Sequence, residues 1–416
     1  MNRPSRGARP TRAPHVQTIV VGAGQAGLAL SFYLTAAGHE HLVLDRGRVG
    51  QRWRERWDSL TLLSPNWMNQ LPGAPAHENQ DGFLGRSEFV DYLRSYARSF
   101  GAPLLEGTDV ERVERRDGNY HVRTTKGSWT AHNVVLATGD AAQPQIPLAA
   151  PPGVRALHSS EYRRPDSLPS GRILVVGAGA SGQQIALELA QAGRDVAIAV
   201  GRHSRAPRRF RGRDIFAWLN VLGDFDRTID ELPDVEAAKR VPLFPVSGAN
   251  GGEDLGLDRL AGSGITISGR LRGFDRKHAL FADDLADNVA AANARLRKLV
   301  RRIDPAARVD ELRLEPGPRT LGLDDVGAII WATGYRRAYP WLDVPGVLDD
   351  RGEVVQRRGV TRIRGIYVLG LAYQYRRSSH FIGGVGRDAE TLAGQLVGAR
   401  TRAFDRTLAS PVRGAA

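Results

Sequence analysis

There is no cysteine in the chain. Disulfides, thiolate metal sites and redox-active dithiols are excluded, and with them any reaction of the thioredoxin reductase kind. Lysine is nearly absent as well, with four among 58 basic residues, the rest being arginines spread over the whole length. The net charge of +13 therefore reads as an arginine-rich composition rather than a binding stripe, and nucleic acid is not an expected partner. Long apolar runs are missing too: no window approaches the roughly eighteen uncharged residues of a membrane helix, so no membrane partner is expected. Residues 1–14 carry Arg3, Arg6, Arg9 and Arg12 without the apolar stretch of a secretory signal. They read as a disordered basic tail, and a cytoplasmic location is expected. Neither a metal-ligand cluster nor a catalytic triad is found in the sequence, so the expected metal set is empty.

Glycine is abundant, and its placement is informative. The apolar run Val16–Val21 reads as a buried strand, and Gly22, Gly24 and Gly27 follow it in a G-x-G-x-x-G turn that opens a helix. The first glycine permits the tight turn, the second lets backbone approach a pyrophosphate, and the third lets helix and strand pack closely. The helix ends at Gly38, and a second strand, His41–Leu44, delivers Asp45 where a carboxylate can accept from ribose hydroxyls. Further along, a helix is expected over Ser87–Phe100. Strands are expected at Val110–Val113, Tyr120–Thr124 and Ser128–His132, leading to an apolar strand that leaves the sheet through Ala137, Thr138 and Gly139.

The proline-rich stretch 144–152 marks a boundary, after which the pattern repeats. Ile173–Val176 precedes Gly177, Gly179, Ala180, Ser181 and Gly182; Gly193 ends the helix, and Ala332, Thr333 and Gly334 echo the earlier exit. The copy differs where Asp45 is matched by Val200, with Arg202, Ser204 and Arg205 close behind. An acid would repel a ribose 2′-phosphate, whereas a guanidinium holds one with two hydrogen bonds. NADPH rather than NADH is expected at this second site. Between the repeats, residues 214–223, 229–244 and 280–302 read as mostly helical. The apolar segment Phe216–Leu222 could wall a pocket or form a homodimer contact. From Arg336 the chain returns to the first unit, through a strand ending at Gly370 and a final helix opened by Arg387, Asp388 and Ala389. That helix would aim its positive end at a reduced flavin ring.

Two glycine turns, two Ala-Thr-Gly exits and a C-terminal return resemble a class B flavin monooxygenase, with YUCCA-type and short bacterial members as the nearest pattern. The motifs are Gly22–Gly27, Trp53 with Trp57–Leu60, Phe89–Leu93, Leu157–Tyr162, Gly177–Gly182, Ala332–Tyr335 and Arg387–Ala389. The resemblance implies an α/β fold of two Rossmann-like dinucleotide-binding domains, each a three-layer ββα unit, the first discontinuous. The FAD domain is expected at 15–150 and 336–405, the NADPH domain at 151–335, and a tail at 406–416. FAD would be held by Gly22, Gly24, Gln25, Ala26, Gly27, Asp45, Arg46, Trp53, Val110, Ala137, Thr138, Gly139, Gly370 and Asp388. NADPH would be held by Gly177, Gly179, Ala180, Ser181, Gly182, Arg202, Ser204, Arg205, Thr333 and Gly334.

His158 and Tyr162 fall in the family's F-x-G-x-x-x-H-x-x-x-(W/Y) fingerprint, whose leading Phe is here Pro152 and whose Gly153 is one place early. They are given a linker role. Where flavin-containing monooxygenases carry an asparagine beside the flavin, this chain has Leu63; Asn66, with Ser64 and Asn69, is the nearby substitute. Arg376 and Arg377 could hold a substrate carboxylate. The implied reaction is insertion of one oxygen atom from O2 into a small organic substrate, by nitrogen or sulfur oxidation or oxidative decarboxylation of a 2-oxo acid. The rivals are a flavin oxidase or reductase that makes no oxygenated product and a redox-sensing flavoprotein of low turnover.

Overall fold

The computed structural model describes residues 13–408, with side chains described up to residue 398; most of the two expected tails lies outside that range. The first unit begins with a strand at His15–Val21 (β1), a helix at Gln25–Ala36 (α1) and a strand at His41–Leu44 (β2). A helix follows at Arg86–Ser99 (α2), where Phe89, Leu93 and Tyr96 fall on one buried face. An antiparallel meander comes next: Val110–Arg116 (β3), Asn119–Thr124 (β4) and Gly127–Leu136 (β5). Asp117 and Gly118 turn between the first two with φ of 50° and 81°, the pair of positive values that a two-residue hairpin requires.

β5 serves two layers. Its first half pairs antiparallel with β4, and its second half runs parallel to β1 through Val21 opposite Leu136.

The second unit opens with strands at Arg155–His158 (β6) and Arg172–Val176 (β7), a helix at Ala180–Gln191 (α3) and a strand at Val196–Ala199 (β8). Helices at Ile215–Val221 (α4) and Leu285–Ile303 (α5) and a strand at Val326–Trp331 (β9) complete its main elements. Its sheet is parallel throughout, in the order 266–268, β8, β7, β9, β6. A strand this apolar on every residue is buried on both faces, which is what parallel sheets with covered faces require. Ile173, Val175 and Ile198 pack under the helices, whereas Leu174, Val176 and Ala197 pack under a three-stranded meander through Leu271, Ala279 and Leu321. The result is an α/β fold with a meander layer, a parallel sheet and a helical layer.

The chain then re-enters the first sheet. Ile366–Val368 (β10) pairs parallel with residues 134–136 of β5, and the last helix, Val385–Leu408 (α6), packs against α1. The two passages between units touch each other, since Gln143–Pro144 pairs antiparallel with Tyr335–Arg336. Among the described residues no helix is long and apolar enough to cross a membrane.

Two helical expectations fail. Within 229–244 the chain forms a 3₁₀ turn at Ile229–Glu231 and a five-residue helix at Val235–Lys239. Pro233 and Pro242 interrupt it, each lacking the amide hydrogen a helix needs. Leu280 and Phe281 end a strand, and α5 starts only after Asp284.

Candidate functional site

Both glycine turns have the same geometry. Gly22 and Gly177 have φ of +112° and +108°, and their amides donate to Leu44 O at 2.7 Å and Ala199 O at 3.0 Å, locking each turn to the neighbouring strand. A methyl group on either would lie 2.5 Å from the carbonyl of its own exit strand, Ala137 or Ala332. On Gly27 or Gly182 it would lie 1.9 Å from the carbonyl of Gly22 or Gly177. On Gly24 or Gly179 it would meet no protein atom within 4 Å. Each turn is thus closed on the protein side and open in front of a helix N-terminus, a cradle for an anionic ligand. Gln25 and Ala26 begin α1, and Ala180 and Ser181 begin α3, so all four stand at these open ends.

Asp45 braces the first cradle. Its carboxylate accepts from the amides of Ala23 at 2.7 Å and Gly47 at 2.8 Å, one per oxygen, which leaves a lone pair on each for a hydroxyl donor. Arg46 beside it is exposed, and Trp53 packs edge-on against Phe89 at 4.8 Å. Val110 is buried in the core cluster that also holds Val21 and Leu44, the residues that flank the first cradle. Gly370, at the end of β10, comes so close to Ala26 that an added methyl would sit 2.8 Å from its Cβ.

In the second copy Val200 is fully buried. Arg202 is exposed and has no ion pair among the described residues. Arg270 runs past Gly201, its stem 3.8 Å from where a Cβ would be. Burial and the charge of Arg202 push Arg295 below its usual value. Three guanidinium groups therefore gather where the first copy has its acid, and of these only Arg270 has an ion-pair partner among the described residues, Asp284 at 3.6 Å. Ser204 and Arg205 are engaged with protein partners. Ser204 donates to Pro242 O at 2.8 Å, and Arg205 donates to Asn293 Oδ1. Position in the sequence had grouped the three; side-chain direction separates them.

His158 is fully buried, with Nε2 3.0 Å from Gly334 O, Nδ1 2.9 Å from Ser160 Oγ, and its ring edge-on to Tyr335 at 4.7 Å. Burial lowers its pKa, so it is neutral near pH 7. Tyr162 donates to Glu188 Oε2 at 2.9 Å. Thr333 donates to Gln145 O, so the second exit, the 143–145 crossover and the β6 end form one hydrogen-bonded junction. Thr138 and Gly139 occupy the corresponding first exit, Gly139 with a φ of 72°.

The residues expected near the reaction are mostly committed. Arg376 pairs with Asp388 at 3.0 Å and Arg377 with Asp224 at 3.3 Å, so neither guanidinium is free for a substrate without exchange of partners. Asp388 Oδ2 is buried without a partner, and burial pushes the carboxyl up against the pull of Ser379 and Arg376. Asn66 is buried; its amide donates to Asn79 O at 2.8 Å while Oδ1 has no partner. Ser64 and Asn69 bond to each other at 2.7 Å. Leu63 packs against Met68, Ala206 and Phe216.

A cavity of about 470 Å³ lies at the start of α6, walled by Trp67, Met68, Phe225, Phe381 and Gly383. A second, of about 550 Å³, shares Trp67 and Asn220 with it and opens past Arg213. Ala217 and Asn220 of α4 line the latter, which places the apolar 216–222 segment on a pocket wall. No cluster of His, Asp or Glu that could hold a metal occurs among the described residues.

Arg208 had no signal of its own in the sequence beyond the basic stretch around it. It is 1% exposed, pairs with Asp214 at 2.5 Å, donates to Leu63 O and stacks on Phe83 at 4.4 Å. It pins the 61–69 loop of the first unit onto the second. Arg208→Ala should lower the unfolding free energy by about 3 kcal/mol, because it strands Asp214 in a mostly buried place. Urea denaturation checks this; a change within 0.5 kcal/mol would contradict it.

The pattern described as pyridine nucleotide-disulphide oxidoreductase matches residues 19–220. An uncharacterized oxidoreductase, CzcO-like, of Geobacillus kaustophilus is 33% identical over 388 residues, covering 92% of this chain and 98% of that one. The indole-3-pyruvate monooxygenase YUCCA1 of Oryza sativa is 27% identical, with 89% of each chain covered. Among solved structures, a flavin-containing monooxygenase from Stenotrophomonas maltophilia has the same fold at a TM-score of 0.66 and 20% identity, over 93% of this chain and 99% of that one.

Proposed function

Because the chain belongs to the class B flavin monooxygenases, within the pyridine nucleotide-disulphide oxidoreductases, we propose that it uses FAD and NADPH to insert one oxygen atom from O2 into a small organic substrate. The observation that carries the reading is the duplicated cradle with opposite charge behind it: Asp45 at the first copy, Arg202 with Arg270 and Arg295 at the second. FAD lies along Gly22–Gly27, Asp45 and the exits at Ala137–Gly139 and Gly370. The unpartnered Asp388 Oδ2 suits a ribityl hydroxyl donor. NADPH lies along Gly177–Gly182 with its 2′-phosphate on Arg202, and passes the exit at Thr333 and Gly334.

When bound, FAD reduced by NADPH supplies the oxygen chemistry; the protein supplies orientation, a dry site and fixed charge. The neutral, doubly bonded His158 holds the crossover so that the two exits face one gap. Asn66 is the side chain offered to the reacting centre, since its Oδ1 is free of protein partners. Arg376 and Arg377 are held by carboxylates and act there by positioning the approach to α6. The 470 Å³ cavity fits a substrate of a few rings or fewer, a nitrogen or sulfur nucleophile or a 2-oxo acid. The reading also keeps the enzyme in the cytoplasm and leaves exposed Val221 available for a homodimer contact.

One observation favours a rival. Leu63 is packed in an apolar cluster, which removes an amide donor from the flavin's surroundings and favours an oxidase that yields only peroxide. NADPH consumption with separate assays of peroxide and oxygenated product decides between them. Peroxide equal to NADPH with every substrate tried would establish the oxidase, whereas peroxide falling as product rises supports oxygenation.

A further inference from the structure

His380 stands where three passages of the chain converge. It ends a 3₁₀ turn, Arg377–His380, just ahead of α6. Its charged neighbours come from the other two passages: Asp140 directly follows the first exit at Gly139, and Arg337 follows the second exit at Gly334. Arg377 faces it from its own turn. These neighbours already have partners. Arg337 pairs with Asp140 at 2.5 Å and with Glu353, and Arg377 with Asp224. Tyr339, buried with its hydroxyl unpartnered, faces the same Arg337 and Asp140. The imidazole stacks edge-on with Phe381 at 4.6 Å, and Phe381 walls the cavity at the start of α6. Nδ1 is buried without a hydrogen-bond partner, whereas Nε2, which has no protein partner among the described residues, is not sealed from solvent.

A half-buried imidazole whose inner nitrogen is sealed from water and unmet is costly unless something outside the chain meets it. Every other polar group around it is spoken for by the protein, Tyr339 excepted. Burial depresses the pKa of the ring, Asp140 works against this, and Arg377 and Arg337 add to the depression. The ring is neutral near pH 7, with one nitrogen donating and one accepting.

We propose that His380 contacts the bound flavin ring, giving it a hydrogen bond, and that protonation of the imidazole makes the flavin easier to reduce. The proposal rests on the FAD reading above. Its physical basis is simple: a cation near the ring favours the reduced, negatively charged form over the neutral oxidised form. In hydride transfer two electrons and one proton leave NADPH together, so His380 need not gain or lose a proton in that step; it sets only the field in which the transfer occurs. Among these groups His380 is the imidazole, and its charge changes on the acid side of the usual histidine range.

Two measurements test it. Ring resonances of ¹³C-labelled histidines, with His380 identified by its loss in His380→Gln, should shift when FAD is added to apoprotein. The reduction potential of the bound flavin, followed with a redox dye from about pH 4.5 to 8, should show an inflection on the acid side of the usual histidine range in the native protein. His380→Gln and His380→Asn should both lose it, with the low-pH equilibrium constant for reduction falling about tenfold, or about 30 mV for a two-electron couple. FAD-loaded protein in which the His380 resonance does not move, or in which both variants keep the native potential-against-pH curve, would overturn the inference. A protein that takes up no FAD at all would instead overturn the FAD reading on which it stands.

Discussion

Gly182→Ala should give a yellow protein that NADPH no longer reduces, and Gly27→Ala a colourless one. The two positions are equivalent: an added methyl would sit 1.9 Å from the carbonyl that opens its own turn. No side chain can move aside, because the obstacle is backbone on both occasions. The turn has to open, at a cost of about 3 kcal/mol, the upper end for overpacking, which is roughly a hundredfold in cofactor affinity. Because the two cradles belong to different sheets, each change strikes one cofactor. Gly24→Ala separates fold from binding. Its methyl meets no protein atom within 4 Å, so apoprotein stability should hold while FAD binding drops. Flavin content after gel filtration and anaerobic reduction by NADPH read both effects. A Gly182→Ala protein reduced at the native rate would show that the second turn does not hold the nicotinamide coenzyme.

Arg202→Ala should lower kcat/KM for NADPH by roughly 10- to 100-fold, the size of one or two charge-assisted hydrogen bonds to phosphate, and leave NADH within about twofold. Arg205→Ala serves as the contrast. Its guanidinium is tied to Asn293, so stability should fall and the coenzyme ratio should not change. Equal losses with both coenzymes in Arg202→Ala would remove the assignment of this residue to the 2′-phosphate.

The cradles were legible in the sequence because glycine is demanded there by φ and by contact, and those demands leave a spacing that can be read. The exits were legible for the same reason. Side-chain direction was not. Ser204 and Arg205 sit next to Arg202 in sequence, yet the bonds to Pro242 and Asn293 that turn them inward come from residues 38 and 88 positions away. Arg208 and His380 left no pattern, since Arg208 acquires its meaning from contacts between the two units and His380 from passages far apart in the chain. The 229–244 stretch was misread because helix-favouring residues were weighed over two prolines. The discontinuity of the first unit, in contrast, could be inferred from the strand at 366–368 and the helix after it.

The central claim is that the cofactor pair activates O2 for transfer to a substrate. Its most direct test is ¹⁸O₂ labelling. Purified FAD-loaded protein is given NADPH and a panel of amines, sulfides and 2-oxo acids under ¹⁸O₂, and products are weighed by mass spectrometry. One ¹⁸O atom in a product, with NADPH and O2 consumed one to one, is the predicted result. Full NADPH consumption with all label in peroxide, across the whole panel, would contradict it.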